Sequence, residues 1–286
     1  MNPQFQAKVI ARSRNGHGVV LTTVQLLYPR FIHAEFMTHR VFSRNASSSR
    51  AIPVAKMIEQ VRNNPAMPVH WGKNQPGMQA REELTGSDLE YAIACWKDAA
   101  ANAAAVAQQM TTVGLHKQVA NRILEPFQLM SVILSSTEWL NFFNLRDHDD
   151  ADPNIAMLAR VMRKEFEESD VPTILRAPTD ARPAYWCDQE HSWHLPYISD
   201  DERKLYRLDV LLKGSVARCA RVSYRNHDGS EPNIMKDIEL HDQLVAGEPI
   251  HASPAEHQAV GVRDADFHKN FRGWVQYRSR VEKVAA

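Results

Sequence analysis

Two runs rich in Val, Leu and Thr, AKVIARSR and GVVLTTVQLLY, flank Asn15-Gly16-His17-Gly18. Asn and Gly reach the positive-φ conformations that a tight reversal needs, and β-branched residues favour extended backbone. Residues 7–28 are therefore expected to form an antiparallel hairpin, so part of this chain has to be a sheet. Pro29 cannot donate to a ladder, and its fixed φ suits the first turn of a helix. The segment RFIHAEFMTHR spaces Phe31, Ala34 and Met37 helically and carries His39 and Arg40 near its carboxyl end, ahead of the loop VFSRNASSSR.

The rest of the chain reads mainly as helix. A short helix is expected from about Pro53, while the stretch from Asn63, NNPAMPVHWGKNQPGMQA, holds too much Pro, Gly and Asn to be regular. The alanine-rich run after Ser87, taken as an N-cap, predicts a long helix to about Met110 that can pack closely. Residues 116–146 read as mostly helical with a break near Pro126, and Asp152-Pro153 opens an amphipathic helix to about Glu168. Residues 170–200, with Pro172, Pro178, Pro183 and Pro196, predict an irregular connection of the kind that covers a site or a subunit contact. Helix is expected again after Ser199, interrupted at Gly214. No repeat or low-complexity linker appears, so residues 1–286 are expected to form a single α+β domain with a central, mainly antiparallel sheet wrapped by long helices.

Charge narrows the partners. Lys plus Arg equals Asp plus Glu at 34 each, so no global field draws the chain to nucleic acid or to an anionic membrane, and a bound anion must be held by local arginines. The N-terminus lacks an apolar signal core, and no run of about 18 uncharged apolar residues occurs, which predicts a cytoplasmic protein without membrane contact. Cys95, Cys187 and Cys219 are too scattered for a disulfide framework.

The densest polar cluster spans residues 38–50, with Arg40, Arg44, Arg50, His39, Ser43, Ser47, Ser48 and Ser49. Arginine forks, serine hydroxyls and the backbone N–H groups of a serine-rich turn together suit a phosphate; a solvated surface loop is the plain alternative. Four further strings give this cluster a context. Arg122-Ile123-Leu124 is followed by Pro126, then comes Asn141-Phe142-Phe143-Asn144-Leu145-Arg146. Later stand Ala220-Arg221-Val222-Ser223-Tyr224 and His251-Ala252-Ser253-Pro254-Ala255-Glu256-His257.

With Thr38-His39-Arg40, Ser48 and Arg50, these strings resemble the motifs of the flavin-dependent thymidylate synthases. The order differs: the 215–286 part matches what that family carries at its N-terminus. That implies a circular permutation, which is tolerated where chain termini lie close together on the surface.

The resemblance implies FAD held by Thr38, His39, Arg40, Asn141, His251 and Ser253. It implies a nucleotide, dUMP or a relative, held by Glu35, Ser47, Ser48, Ser49, Arg50, Arg122 and Arg146. Arg146 would be the catalytic residue, stabilising negative charge on the pyrimidine. NADPH and methylenetetrahydrofolate would be co-substrates in reductive methylation to dTMP, in a homotetramer whose sites are built from several subunits.

This chain departs from the motifs at four positions. Thr38 stands in place of arginine, Glu35 of glutamine, Ala46 of glutamate and Ala51 of tyrosine. A carboxylate beside the pyrimidine repels a uracil carbonyl and accepts from an exocyclic amine, so dCMP methylation and dUMP hydroxymethylation stay open, as does flavin or nucleotide binding without turnover. Cys187, His191 and His194 could be zinc ligands, although only three candidates are present; the plain reading has Trp186, Trp193 and Tyr197 anchoring a loop, and no metal is expected. His116, His148 and His257 read as structural or surface residues, and Trp71, Trp96 and Trp139 as core. The ending Phe271, Arg272, Trp274, Tyr277, Arg278 and Arg280 fits a subunit or ligand-pocket role better than stacking on nucleic acid.

Overall fold

The computed structural model describes residues 2–169, 173–174, 193–226, 229–245, 247 and 249–284. The expected hairpin forms. Strand β1 (Gln6–Arg14) pairs antiparallel with β2 (Val20–Pro29), with one register shift between Val9 and Ala11. Asn15 closes the turn by accepting on Oδ1 from the N–H groups of His17 and Val19, and Gly18 takes φ of +82°. Pro29 then leads into one 3₁₀ turn and the short helix α1 (His33–Phe36). Its buried residues are Ile32 and Phe36, while Ala34 and Met37 are exposed. The expected Phe31/Ala34/Met37 stripe does not form the core face, because the helix ends before that stripe can repeat.

Strand β3 (Ser43–Ala46) and helix α2 (Val54–Asn63) follow. The long helix α3 (Gly86–Thr112) begins after Thr85, so Ser87 lies inside its first turn and is not the N-cap. Ala100, Ala103, Ala104 and Ala107 recur at three- and four-residue intervals and let α3 approach Met57, Ile58 and Val61 of α2, with Leu124 and Phe127 alongside. Trp96 and Trp71 are half-buried against this cluster, and so is Trp139 against another, so they line the core and do not fill it.

Residues 116–146 correct the sequence reading most. Helix α4 (Lys117–Ala120), the 3₁₀ segment Asn121–Phe127 and helix α5 (Leu140–Arg146) are helical, but Leu129–Ser136 is a strand, β4. It pairs antiparallel with both β2 and β3. Residues 132–136 are buried throughout, so both faces are covered and the run lacks the alternation that distinguishes a strand from a buried helix. The five-stranded sheet has the order β3-β4-β2-β1-β5, with β5 (Thr173–Ile174) parallel to β1.

Helix α6 (Pro153–Glu168) starts where expected: Asp152 accepts from the N–H groups of Asn154 and Ile155, and Pro153 opens the first turn. Strand β6 (Trp193–His194) precedes α7 (Asp200–Leu205) and α8 (Leu208–Arg221). The helical break falls at Tyr206-Arg207 and not at Gly214. Gly214 is buried in mid-helix, where a Cβ would stand 2.8 Å from Cδ1 of Ile234 on α9 (Ile234–Val245), so it serves close packing. Strands β7 (Ala259–Gly261), β8 (Phe267–His268), β9 (Phe271–Arg272) and β10 (Trp274–Gln276) and helix α10 (Arg278–Val284) complete the described chain. Phe271 and Trp274 are fully buried beside Leu21 and Ala259, which removes both rings from any stacking surface. No described helix is long and apolar enough to cross a membrane.

The sheet separates two unlike interiors. One face packs Val24, Leu26, Tyr28, Val132 and Leu134 against Phe36, Phe42, Phe142 and α6. The other joins Ile133 to Tyr197, Cys219 and Val222, beside a buried polar seam. In that seam His194 binds Ser13 Oγ at 2.9 Å and Thr23 Oγ1 at 2.8 Å, Thr23 meets Ser135 at 2.6 Å, and Ser135 binds His257 Nδ1 at 2.9 Å.

Burial pushes both histidines down to about 3, so the folded chain keeps them neutral. Unfolded, each takes a proton below about pH 6.5, so their stabilisation is present above that pH and is lost as pH falls towards 3. At pH 5 the loss is about 2 kcal/mol for each ring. Urea unfolding midpoints should drop between pH 8 and pH 5, and by less in His194→Gln; equal midpoints in the wild type would refute the assignment.

Candidate active site

The turn between α1 and β3 is shaped by one arginine. Arg44 donates from Nη1 to the carbonyls of His39 and Phe42, both at 3.1 Å, from Nη2 to the Met37 carbonyl at 3.4 Å, and from Nε to Met37 Sδ at 2.7 Å. Residues 37–42 are thereby wound around a single guanidinium. The fold places His39 on the Phe42 and Phe142 rings, with centroids 5.7 and 5.0 Å away. Phe142 and Phe143 anchor α5 in the core, and Arg146 projects from the last turn of that helix.

Arg146 is held at all three nitrogen positions. Nε donates to His39 Nε2 at 3.0 Å, Nη2 to Thr38 Oγ1 at 3.3 Å, and Nη1 to the carboxylate of Glu35. Accepting from Arg146 requires a lone pair on Nε2, so the His39 ring is neutral with its proton on Nδ1. Burial first, then Arg146 and Arg44, hold its pKa below the ordinary histidine value in agreement with that tautomer. Glu35 and Arg146 stand at the wall of a cavity of about 710 Å³ that also meets His70, Arg81, Asp150 and Asn154. A second cavity, of about 500 Å³, lies between β1 and α6, lined by Lys8, Gln25 and Glu165 among others, and none of the expected residues faces it.

The serine turn forms a second cluster. Ser47 N–H donates to the Ser131 carbonyl of β4 at 2.9 Å, and Ser48 Oγ accepts from Arg50 N–H at 3.3 Å. Asn121, fully buried, donates to the carbonyls of Ser49 at 2.6 Å and Ile52 at 3.0 Å, which locks the turn to the 3₁₀ segment. Ser49, Arg122 and Arg30 all converge on Glu125 Oε1, at 3.4, 2.8 and 3.0 Å.

Arg40, Arg50, Asn141, His251 and Ser253 are exposed and make no side-chain hydrogen bond within the described residues. The 3₁₀ turn Ser253–Glu256 packs against β3 and α8, which sets the His251–His257 block beside the loop that follows Arg40.

The structure thus joins Glu35, Thr38, His39 and Arg146 in one cluster and Ser49 with Arg122 in another. Arg221 is not part of either: it pairs with Asp237, which also binds the buried Arg218, and these ties hold α8 to α9. Cys187, His191 and Trp186 lie outside the described residues. His194 has both ring nitrogens engaged by Ser13 and Thr23, so no lone pair is left for a metal.

Arg30, Asn121 and Glu125 were not singled out for the site from the sequence; Arg44 was, as part of the 38–50 cluster, but as an anion donor and not as the residue that shapes the turn. Glu125 had a signal, since it stands between the Arg122-Ile123-Leu124 string and Pro126; Arg30 and Asn121 had none beyond residue type.

Among curated proteins none matches the chain. Among solved structures it is similar to a UMP/dUMP methylase, PolB, from Streptomyces cacaoi. The crystal structure of that protein bound with 5-Br dUMP aligns at 18% identity and a TM-score of 0.45, covering 52% of this chain and 67% of the other. The one bound with 5-Br UMP aligns at 15% identity and 0.47, covering 57% and 89%. A family model described as thymidylate synthase complementing protein matches residues 13–172, more than half of the sequence. The chain therefore belongs to the thymidylate synthase complementing protein family.

Proposed function

We propose that the protein is a flavin-dependent thymidylate synthase that reductively methylates dUMP to dTMP with methylenetetrahydrofolate and NADPH. The observation that carries this reading is the Arg146 guanidinium, fixed by Glu35, Thr38 and His39 at the wall of a cavity large enough for a nucleotide. A preorganised cation there can stabilise negative charge on a pyrimidine carbonyl and ring nitrogen as carbon five becomes nucleophilic. The neutral His39 serves by orienting Arg146, because its lone pair accepts from Nε. The Ser47–Arg50 turn and Arg122 supply hydroxyls, N–H groups and forks suited to a 5′-phosphate dianion.

The donor set also fits FAD. Arg40, Asn141, His251 and Ser253 have hydrogen-bonding capacity that no described residue uses, and two of the four sit on the block packed against β3. These residues would hold the flavin, which when bound supplies the hydride that completes the methyl group. Phe42 and Phe142 cover the inner side of the His39 ring and keep water from it. The apolar side chains of Met37, Val41, Leu140 and Leu145 stay exposed around the site, in keeping with a homotetramer whose copies complete it.

The position of the His251–His257 block supports a permuted motif order. A family model with a fixed order of blocks can pair with only one run of them, and here it takes 13–172 and leaves 220–257 outside.

Glu35 favours a second reading. Its carboxylate lines the cavity next to Arg146, and a carboxylate beside a guanidinium offers an acceptor and a donor to the exocyclic amine and N3 of cytosine. Methylation of dCMP is that alternative.

The protein should purify yellow and release FAD on denaturation; a colourless protein that also fails to quench added FAD would end both readings. Incubation with dUMP or dCMP, methylenetetrahydrofolate and NADPH should convert dUMP to a product heavier by one methyl group. Conversion of dCMP alone would select the alternative. Arg146→Lys should lower kcat by about a hundredfold with KM within a small factor, since the charge remains and the planar fork is lost. Arg50→Ala should instead raise KM by roughly tenfold with little change in kcat. The same kinetic signature in both variants would contradict this division of roles between Arg146 and Arg50.

A further inference from the structure

The Glu125 carboxylate takes a set of donors that suits a phosphate. Arg122 Nη1 at 2.8 Å, Arg30 Nη2 at 3.0 Å and Ser49 Oγ at 3.4 Å meet on one oxygen, Oε1. Two guanidiniums and a hydroxyl converging on a single oxygen form the arrangement in which a phosphomonoester oxygen is held. The corner is open to solvent: the Arg122 side chain is 56% exposed, and Arg50, across the serine turn, is exposed with no partner within the described residues. Glu125 is also held close by. It stands on the 3₁₀ segment that Asn121 ties to the carbonyls of Ser49 and Ile52, so its backbone is kept beside the turn while the carboxylate stays free to swing from one partner to another.

We propose that Glu125 is a built-in competitor for the phosphate of the nucleotide, a residue that sets substrate affinity by engaging Arg122 and Ser49 itself. The inference rests on reading the Ser47–Arg50 turn and Arg122 as the phosphate-binding corner. Arg30, Arg50 and Arg122 together would bind a dianion tightly; one carboxylate among them opposes an incoming anion and must yield Arg122 for it to dock. Nucleotide then exchanges faster than three unopposed arginines would allow. A residue that merely positioned the arginines would act through its acceptor oxygen, whereas a competitor acts through its charge. Glu125→Gln separates the two, because the amide oxygen still accepts while the charge is gone.

Calorimetric titration of wild type and Glu125→Gln with dUMP, inorganic phosphate and deoxyuridine tests this, with cooperative thermal melting as the check of folding. Glu125→Ser, which also removes the charge, replaces the variant if Gln does not fold. The expected result is about a tenfold gain in affinity for dUMP, a gain for inorganic phosphate and none for the uncharged nucleoside. Unchanged or weaker binding of both anions would overturn the proposal and make Glu125 a positioning residue. A gain for phosphate, with dUMP binding neither protein, would uphold Glu125 as an anion competitor and remove the nucleotide reading instead.

Discussion

The site depends on the pairing of β4 with β2 on one side and β3 on the other. Because β3 and β4 run antiparallel, that ladder sets the loop entering β3 beside the segment leaving β4, and the loop leaving β3 beside the segment entering β4, and so brings residues 35–42 to α5 and residues 47–50 to the 3₁₀ turn before β4. Without it Arg146 and His39 would belong to unrelated parts of the surface. The pairing can be buried on both faces because α6 and the aromatic cluster of Phe36, Phe42 and Phe142 cover one side while Tyr197, Cys219 and Val222 cover the other. Core and site are thus made by the same strands. The aromatic rings that bury the sheet also seat His39.

Electrostatics in the two clusters follow one rule with different outcomes. In each, guanidinium groups near the surface are countered by a single carboxylate, Glu35 for Arg146 and Glu125 for Arg30 and Arg122. The side chains of Glu35 and Glu125 are 32% and 23% exposed, so these pairs sit between the weak solvent-exposed regime and the costly buried one. A pair in that range can exchange partners when a ligand of the right charge arrives. By contrast Arg218 with Asp237 is fully buried, and exchanging its partner would leave a bare charge in the interior. That pair holds α8 and α9 together.

Where the sequence was legible, the deciding signal was local. Asn15-Gly16-His17-Gly18 between two extended runs, and Asp152-Pro153 ahead of an amphipathic stretch, each state their geometry within a few residues. Strand β4 was not legible, because a strand buried on both faces loses its alternation and its neighbours on either side are helical. Gly214 misled for the opposite reason: its local meaning is a break, but its tertiary meaning is the close approach of Ile234. Residues 35–50 and Arg146 could be picked out, since their types are the ones that bind anions. Glu35 was picked out too, as a departure from the family motif, but neither its pairing with Arg146 nor the role of Glu125 was legible, because a carboxylate states nothing about which arginine will fold onto it.

The position of residues 251–257 bears on how such a site can tolerate a changed motif order. The block packs against β3 through the 3₁₀ turn Ser253–Glu256, and His257 reaches Ser135 in β4. It also packs on α8 and α10, and its contacts with the two strands that shape the loop are side-chain and packing contacts, since the block adds no strand to the five-stranded sheet. A segment that docks in this way needs to reach its place but need not enter the ladder in sequence order. Loop-closure entropy grows only slowly with the length of the connection, so a docked block tolerates relocation along the chain better than a strand whose register depends on a short turn. The ladder β3-β4-β2-β1 lies within residues 6–136, and the block that docks on it is the part we propose to be out of order. On that proposal the elements that fix geometry stay contiguous, and the docked block is the one that can change its place in the chain.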